Sequence, residues 1–314
     1  MIYIGIDLGG TGIKAGAVDE KGNILFKDSC PTDVERGYEA VIQDMAHLAL
    51  QVVAQSGHAI AEVQSVGIGI PGVMDPRTGR VPFCTNLHWH DVPIIEEMHK
   101  YINVPVFVDN DATVAGLAES VAVVSAGVKN SVFVTLGTGV GGGIILNGKV
   151  FSGSHGVASE IGHMVTVVDG EMCTCGVRGC WERYASATAL IREGRYMVNG
   201  KPECALMKSV NGDPSQITAK HVIDLAKAGD PDCTALFSRY IYHLCLGLRN
   251  LINLYDPEII VLGGGVSRAG EYLLEAVRAK LPELIFYKDM PYARVELAQL
   301  SNDAGIIGAA MLGR

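Results

Sequence analysis

The segments YIGIDLGGTGIKAGAVDEKGNIL, Tyr3 to Leu25, and VFVTLGTGVGGGIILNGKVF, Val132 to Phe151, share one pattern. Each reads as an apolar strand, a Gly/Thr turn, a second strand, a turn containing glycine and a third strand. Aligned on the first turn, Leu8 falls on Leu136, Gly9 on Gly137 and Thr11 on Gly139. The second turns are Lys21-Gly22-Asn23 and Asn147-Gly148-Lys149. A chain that opens twice in this way is expected to hold two related halves facing one another.

The turns also carry chemistry. Glycine lets the backbone approach an anion and point several N–H groups at it. Gly9, Gly10 and Thr11, and in the second turn Gly137, Thr138 and Gly139, are therefore candidate phosphate binders. Two such turns opposed would clamp a triphosphate. Lys14, on the next strand, either adds charge or is simply solvated. Asp7 either holds a hydrated Mg²⁺ at the phosphates or forms the turn. No G-x-x-x-x-G-K-[ST] loop is present. Gly137 to Gly142 matches G-x-G-x-x-G, but a dinucleotide site needs a helix next, and GGIILNGKV reads as another strand.

Composition narrows the class. The 314 residues suit two domains or one large one, and 48% hydrophobic content with 38 glycines points to a compact α/β protein with many tight turns. A net charge of -9 argues against a nucleic-acid or anionic-membrane partner. No apolar run reaches the about 18 residues of a membrane span. The chain starts on a strand, Ile2 to Ile6, without the basic region of a signal peptide, so a cytoplasmic location with reduced thiols is expected. Gly37 to Ser56 has helical apolar spacing at Val41, Ile42, Met45, Leu48 and Val52. Further strands are expected at Val63–Ile70, before Pro71-Gly72, at Val104–Val108, before Asp109-Asn110-Asp111 and an Ala-rich helix, and at Glu258–Leu262, before Gly263-Gly264-Gly265. Helices are expected at Asp230–Tyr255, from Ala269, and at Ser301–Leu312. The domain boundary is expected just after Asp111: residues 1–111 with the closing helix 301–314 would form a smaller α/β domain, and 112–300 a larger one.

Two constellations stand out. Cys173, Cys175 and Cys180 form C-x-C-x-x-x-x-C with His163 upstream, a full tetrahedral donor set for zinc. Four protein ligands leave no open position, so the zinc is expected to be structural. It would tie a loop between Glu160 and Glu182 and fix those carboxylates, and the free face of His163, for a hydroxyl-rich ligand. The other five cysteines, Cys30, Cys84, Cys204, Cys233 and Cys245, read as buried small hydrophobes. His88-Trp89-His90 reads as a packed or solvated loop. The second constellation is Asp109-Asn110-Asp111, at the carboxyl end of a buried strand. Asp111 there can accept a proton from an attacking hydroxyl, or one of the three can merely cap the helix.

Together these residues resemble the ROK family of sugar kinases and repressors, within the actin-like ATPase superfamily. The resemblance spans essentially the whole chain. It rests on DLGGTGIK at Asp7, GIPG at Gly69, TNLHW at Thr85, DNDA at Asp109, LGTGVGGG at Leu136, EIGH at Glu160, CTCGVRGCWE at Cys173 and VLGGG at Val261. It implies two actin-like (ribonuclease H-like) α/β domains with a central cleft and a structural zinc site. ATP with Mg²⁺ would bind the two Gly/Thr turns, with adenine near Gly263, Gly264 and Gly265. The sugar would be held by Gly72, Asn86, Asn110, Asp111, Glu160, His163 and Glu182, and Asp111 would deprotonate its 6-hydroxyl. His163, Cys173, Cys175 and Cys180 would hold zinc. A homodimer or homotetramer is implied.

The chain departs from the family at two places. The common small-Gly-Glu lead into E-x-G-H is Ala158-Ser159-Glu160, and the common N-D-A-N is Asn110-Asp111-Ala112-Thr113. The expected activity is ATP-dependent phosphorylation of glucose. N-acetylmannosamine, N-acetylglucosamine, fructose, mannose or allose are the alternative acceptors. A sugar-sensing repressor is the alternative from another class. Repressors carry a helix-turn-helix domain before the DLGGT strand, and Asp7 stands too near the start to allow one, so a kinase is the expectation.

Overall fold

The computed structural model describes residues 1–122, 127–300 and 303–314. It opens with β1 (Ile2–Leu8), β2 (Gly12–Asp19) and β3 (Ile24–Pro31), then α1 (Tyr38–Gln55) and β4 (Val63–Ile70). A small hairpin of β5 (Val81–Cys84) and β6 (Trp89–Val92) precedes α2 (Ile94–His99), β7 (Val106–Asn110) and α3 (Asp111–Ala122). The second strand triple is β8 (Ser131–Leu136), β9 (Val140–Leu146) and β10 (Lys149–Val150). Helices α4 (Glu182–Ala185), α5 (Ala187–Gly200), α6 (Ala205–Ser209), α7 (Ala219–Lys227) and α8 (Pro231–Tyr255) follow, then β11 (Ile259–Gly263), α9 (Glu271–Leu284), β12 (Arg294–Leu297) and α10 (Ala304–Met311).

The repeat seen in the sequence is a repeat of topology. One sheet has the order β3-β2-β1-β4-β7 and the other β10-β9-β8-β11-β12. In each, a three-strand meander is extended by two strands in parallel register, β1 to β4 to β7 and β8 to β11 to β12. Because β9 is a strand, the G-x-G-x-x-G match opens no dinucleotide-binding helix.

The chain forms two compact units. Unit one is 1–129, 143–159 and 299–314; unit two is 130–142 and 160–298. In unit one, strand alternation sends Ile4, Ile6 and Leu8 into the core under α1, where Val41, Ile42, Met45, Leu48 and Val52 all lie buried. Tyr3 and Val18 join the opposite cluster, with Leu117 and Ala118 of α3, Ile145 of β9 and Ile306, Ile307, Ala310 and Met311 of α10. That second cluster corrects the expected boundary at Asp111: α3 and residues 143–159 bury their apolar side chains with α10 and belong to unit one. In unit two, α8 starts on an Asp230 N-cap that accepts from the Cys233 amide at 2.9 Å, with Pro231 in the first turn.

Two other expectations shift. The strand expected to stop at Val108 runs on to Asn110, since Asp109 and Asn110 pair with Gly69 and Ile70 of β4. The helix expected from Ala269 begins at Glu271, after a 3₁₀ turn at Val266–Ala269. The expected start of the closing helix, Ser301, lies outside the described residues. Among those described, no helix is long and apolar enough to cross a membrane.

Candidate active site and metal centre

Unit one gathers the Gly9 turn, Gly72, Asn86, Asn110 and Asp111. In the turn, the Gly9 amide donates to the Gly12 carbonyl at 2.9 Å, and the Gly9 carbonyl accepts the Thr32 hydroxyl at 2.6 Å. The Thr11 carbonyl accepts the Thr32 amide at 3.4 Å. Committing carbonyls to the scaffold turns the acceptors away from an incoming anion. A Cβ on Gly10 would stand 3.2 Å from the Asn86 carbonyl, so the TNLHW turn lies against this loop. Lys14 pairs across the hairpin with Asp7 at 3.2 Å, so neither is simply solvated.

Asn110 donates through Nδ2 to the Gly72 carbonyl at 3.2 Å and accepts the Ala112 amide through Oδ1 at 2.9 Å. Both ends of its amide are thereby oriented. Asp111, exposed, also accepts the Ala112 amide, at 2.8 Å. The capping alternative is therefore met in part, by Asn110 and Asp111 together. Gly72 rests on Cys84, whose thiol donates to the Pro71 carbonyl at 3.2 Å. Cys84 in turn precedes the 3₁₀ turn, Thr85–Leu87, that bears Asn86. These links between Gly72, Asn86 and Asn110 leave no trace in the sequence spacing.

Asp109, which the sequence offered only as one of three helix caps, accepts from the Asn110 amide at 2.7 Å and the Ser152 hydroxyl at 2.9 Å. Burial raises its carboxyl above the usual 3.8, against the lowering by those two hydrogen bonds. A raised carboxyl favours the fold in its protonated form. That contribution is complete below 3.8 and is lost as pH rises through the raised value. Asp109→Asn keeps an acceptor for Asn110 and offers an amide to Ser152. Its thermal midpoint should exceed the parent's by about 2 °C at pH 8, and the gap should close toward pH 4; a gap independent of pH would refute the assignment.

Unit two holds the second turn and the cysteine cluster. The Gly137 amide donates to the Gly139 carbonyl at 3.0 Å, and the Gly137 and Thr138 carbonyls accept the Ala187 amide at 2.8 Å and the Thr188 hydroxyl at 2.7 Å. The second turn thus repeats the carbonyl anchoring of the first. A Cβ on Gly139 would lie 2.6 Å from Glu182 Oε2, so only glycine lets that carboxylate approach. Of the three glycines after β11, Gly263 and Gly264 are required by packing: a Cβ would stand 2.5 Å from the Phe133 ring and 2.7 Å from the Leu136 amide, respectively. Gly265 is open.

The donor atoms of His163, Cys173, Cys175 and Cys180 all lie within 4.8 Å of one another. His163 Nδ1 is 3.7 Å from Cys173 Sγ, and the Cys175 and Cys180 sulfurs are 3.5 Å apart. Tetrahedral zinc with about 2.3 Å bonds to sulfur requires ligand separations of about 3.7 Å, so the set fits zinc. Among the described residues His88 and His90 join no such group. Burial pushes the Cys180 thiol up to about 12 and raises Cys173, while a hydrogen bond from the Val177 backbone lowers Cys175. Thiols bind zinc as thiolates, so metal binding here would release their protons. His163 Nε2 lies 3.9 Å from Glu160 Oε2, and Glu182 Oε1 accepts the Cys173 thiol at 3.1 Å. The loop is anchored by fully buried Trp181, between ligand Cys180 and Glu182, whose indole donates to the His243 carbonyl at 2.9 Å. Its ring fills the space that a Cβ on Gly247 would need.

Comparison with known proteins identifies the family. The pattern of the ROK family matches residues 3–314. The chain is similar to the glucokinase of Streptomyces coelicolor, 38% identical over 316 residues that cover 100% of this chain and 98% of that one. A ROK family glucokinase from Streptomyces griseus, solved in complex with glucose and AMPPNP, is 37% identical with a TM-score of 0.81 over 99% of both chains. A ROK hexokinase from Thermus thermophilus is 32% identical with a TM-score of 0.86, over 100% of this chain and 97% of that one. With the repeated sheet topology, the two Gly/Thr turns and the His/Cys set in place, the chain belongs to the ROK family.

Proposed function

We propose that this protein is an ATP-dependent glucokinase that transfers the γ-phosphoryl group of ATP to the 6-hydroxyl of glucose. The reading is carried by Asp111, an exposed carboxylate at the carboxyl end of β7, beside an Asn110 amide oriented by the Gly72 carbonyl. Similarity along the whole chain to glucokinases supports it. Asp111 accepts the 6-hydroxyl proton as that oxygen bonds to the γ-phosphorus. The bond from the γ-phosphorus to the bridging oxygen breaks, and ADP leaves. Such transfers depend on alignment and charge neutralisation more than on a strong base.

The Gly9-Gly10-Thr11 and Gly137-Thr138-Gly139 turns offer N–H groups to the phosphates, and adenine lies by Gly263, Gly264 and Gly265. Gly265 is the member of that run with room beside it. Asp7, a hard oxygen donor, would hold the water shell of a Mg²⁺ ion, which would neutralise phosphate charge. Asn86, Asn110, Glu160, His163 and Glu182 hold sugar hydroxyls. A sugar lacking one partner leaves a polar group unpaired, at about 1–3 kcal/mol each. His163 and the three cysteines would hold a structural zinc, which would take no part in the phosphoryl transfer itself. The enzyme works in the reducing cytoplasm as a homodimer or homotetramer; exposed Leu254, Phe286 and Met290 provide apolar surface for association.

The test is a panel of glucose, mannose, allose, fructose, N-acetylglucosamine and N-acetylmannosamine at saturating MgATP. Glucose should lead in kcat/KM by at least about tenfold. A higher value for any other sugar would reassign the substrate, and no turnover with any would overturn the kinase reading.

A further inference from the structure

The two departures from the family pattern, Thr113 and Ser159, touch each other. Their hydroxyls are 3.1 Å apart. Thr113 is 1% exposed and Ser159 9%, so water cannot readily replace either partner. Thr113 stands two residues after Asp111, in the first turn of α3. Ser159 directly precedes Glu160 and is the last residue of unit one before the chain passes to unit two.

Helix α3 holds other crossing points of the same kind. The chain passes between the units at 129/130, 142/143, 159/160 and 298/299. At Gly143 a Cβ would lie 2.8 Å from the Ala112 carbonyl and 2.9 Å from Thr113 Cα. At the last crossing, the amides of Gln299 and Leu300 donate to Glu119 Oε1 at 2.8 and 2.9 Å. Three of the four crossings are therefore fixed to the helix whose first residue is Asp111. Thr113–Ser159 is the one held by a pair of hydroxyl side chains, and neither is the common family residue.

We propose that Thr113 and Ser159 act as a coupled pair of positioning residues for sugar phosphorylation, fixing the chain where it leaves for Glu160 against the turn that carries Asp111. This rests on the roles given above to Asp111 and Glu160. Asparagine at 113 opposite glycine at 159 uses a longer side chain and no side chain. Threonine opposite serine shares the reach between two short ones, so the two exchanges compensate each other. Loss of either hydroxyl strands the other in a buried site, and small displacements of aligned groups cost rate.

The experiment compares Thr113→Val, Ser159→Ala, their double, Thr113→Ser, Ser159→Gly, and Thr113→Asn with Ser159→Gly, by glucose kcat/KM, ATP KM and thermal midpoint. Each single hydroxyl loss should lower glucose kcat/KM about tenfold and leave ATP KM within about twofold. The double should be no worse than the worse single. Thr113→Ser should stay near the parent, and the Asn/Gly combination should recover to within about threefold while Ser159→Gly alone does not. Additive losses, or a lowered midpoint with unchanged kcat/KM, would overturn the pair. Asp111→Asn serves as the control. If it is inactive while the pair variants work normally, only the pair fails; if it turns over normally, the underlying assignment fails.

Discussion

Asp111→Asn should lower kcat for glucose by about 10²- to 10⁴-fold, the usual contribution of a positioned general base. The exchange is nearly isosteric, and the amide oxygen can still accept the Ala112 N–H that Asp111 now accepts at 2.8 Å. Asn110 keeps its own bonds to Gly72 and Ala112, so the local backbone has no reason to move. The loss of a carboxylate in the first turn of α3 costs about 0.3–1 kcal/mol of helix-dipole interaction. Glucose affinity by calorimetry should therefore stay within a fewfold of the parent while ADP release collapses. Turnover within about threefold of the parent would remove Asp111 from the role of base. The neighbouring Asp109 could not inherit that role unchanged, because its two oxygens are engaged by the Asn110 amide and the Ser152 hydroxyl.

What the sequence disclosed, and what it hid, follows the range of the interactions concerned. The hairpin strands, the apolar face of α1 and the span of β4 are set by local periodicity, and they lie where the pattern places them. Asp109 and Asn110 are poor strand formers by composition, yet parallel pairing with Gly69 and Ile70 holds them extended, so the strand ends later than its apolar run. The units could not be drawn from order along the chain, because residues 143–159 and 299–314 return to unit one through contacts with α3. The grouping of His163 with Cys173, Cys175 and Cys180 was legible since soft donors at close spacing point to one tetrahedral set. The supports of the site were not. Thr32 beneath Gly9, Cys84 beneath Gly72 and Trp181 against Gly247 join residues remote in sequence, and nothing in their own neighbourhoods marks them.

Removal of zinc, by chelation or by Cys175→Ser, should weaken glucose use far more than ATP use. Cys175 is the exposed cysteine of the set, so serine there removes a ligand without opening a core cavity. Without metal, the Cys173 thiol donates to Glu182 Oε1 at 3.1 Å, which would occupy the carboxylate proposed for a sugar hydroxyl. A bound metal would make that thiol a thiolate that no longer donates, which would leave Glu182 Oε1 open to the sugar hydroxyl proposed for it. His163 changes in the same direction: a metal on Nδ1 leaves the proton on Nε2, the atom facing Glu160 at 3.9 Å. Zinc-free protein should therefore show glucose kcat/KM down roughly 10- to 100-fold, ATP KM little changed, and a lower thermal midpoint. Metal analysis should find one zinc per chain in the parent and none in the variant. Because Trp181 anchors the loop independently of the ligands, through the His243 carbonyl, the variant should still fold and be measurable. A variant free of zinc with unchanged glucose KM would separate the metal from the sugar site and leave it a purely mechanical clasp.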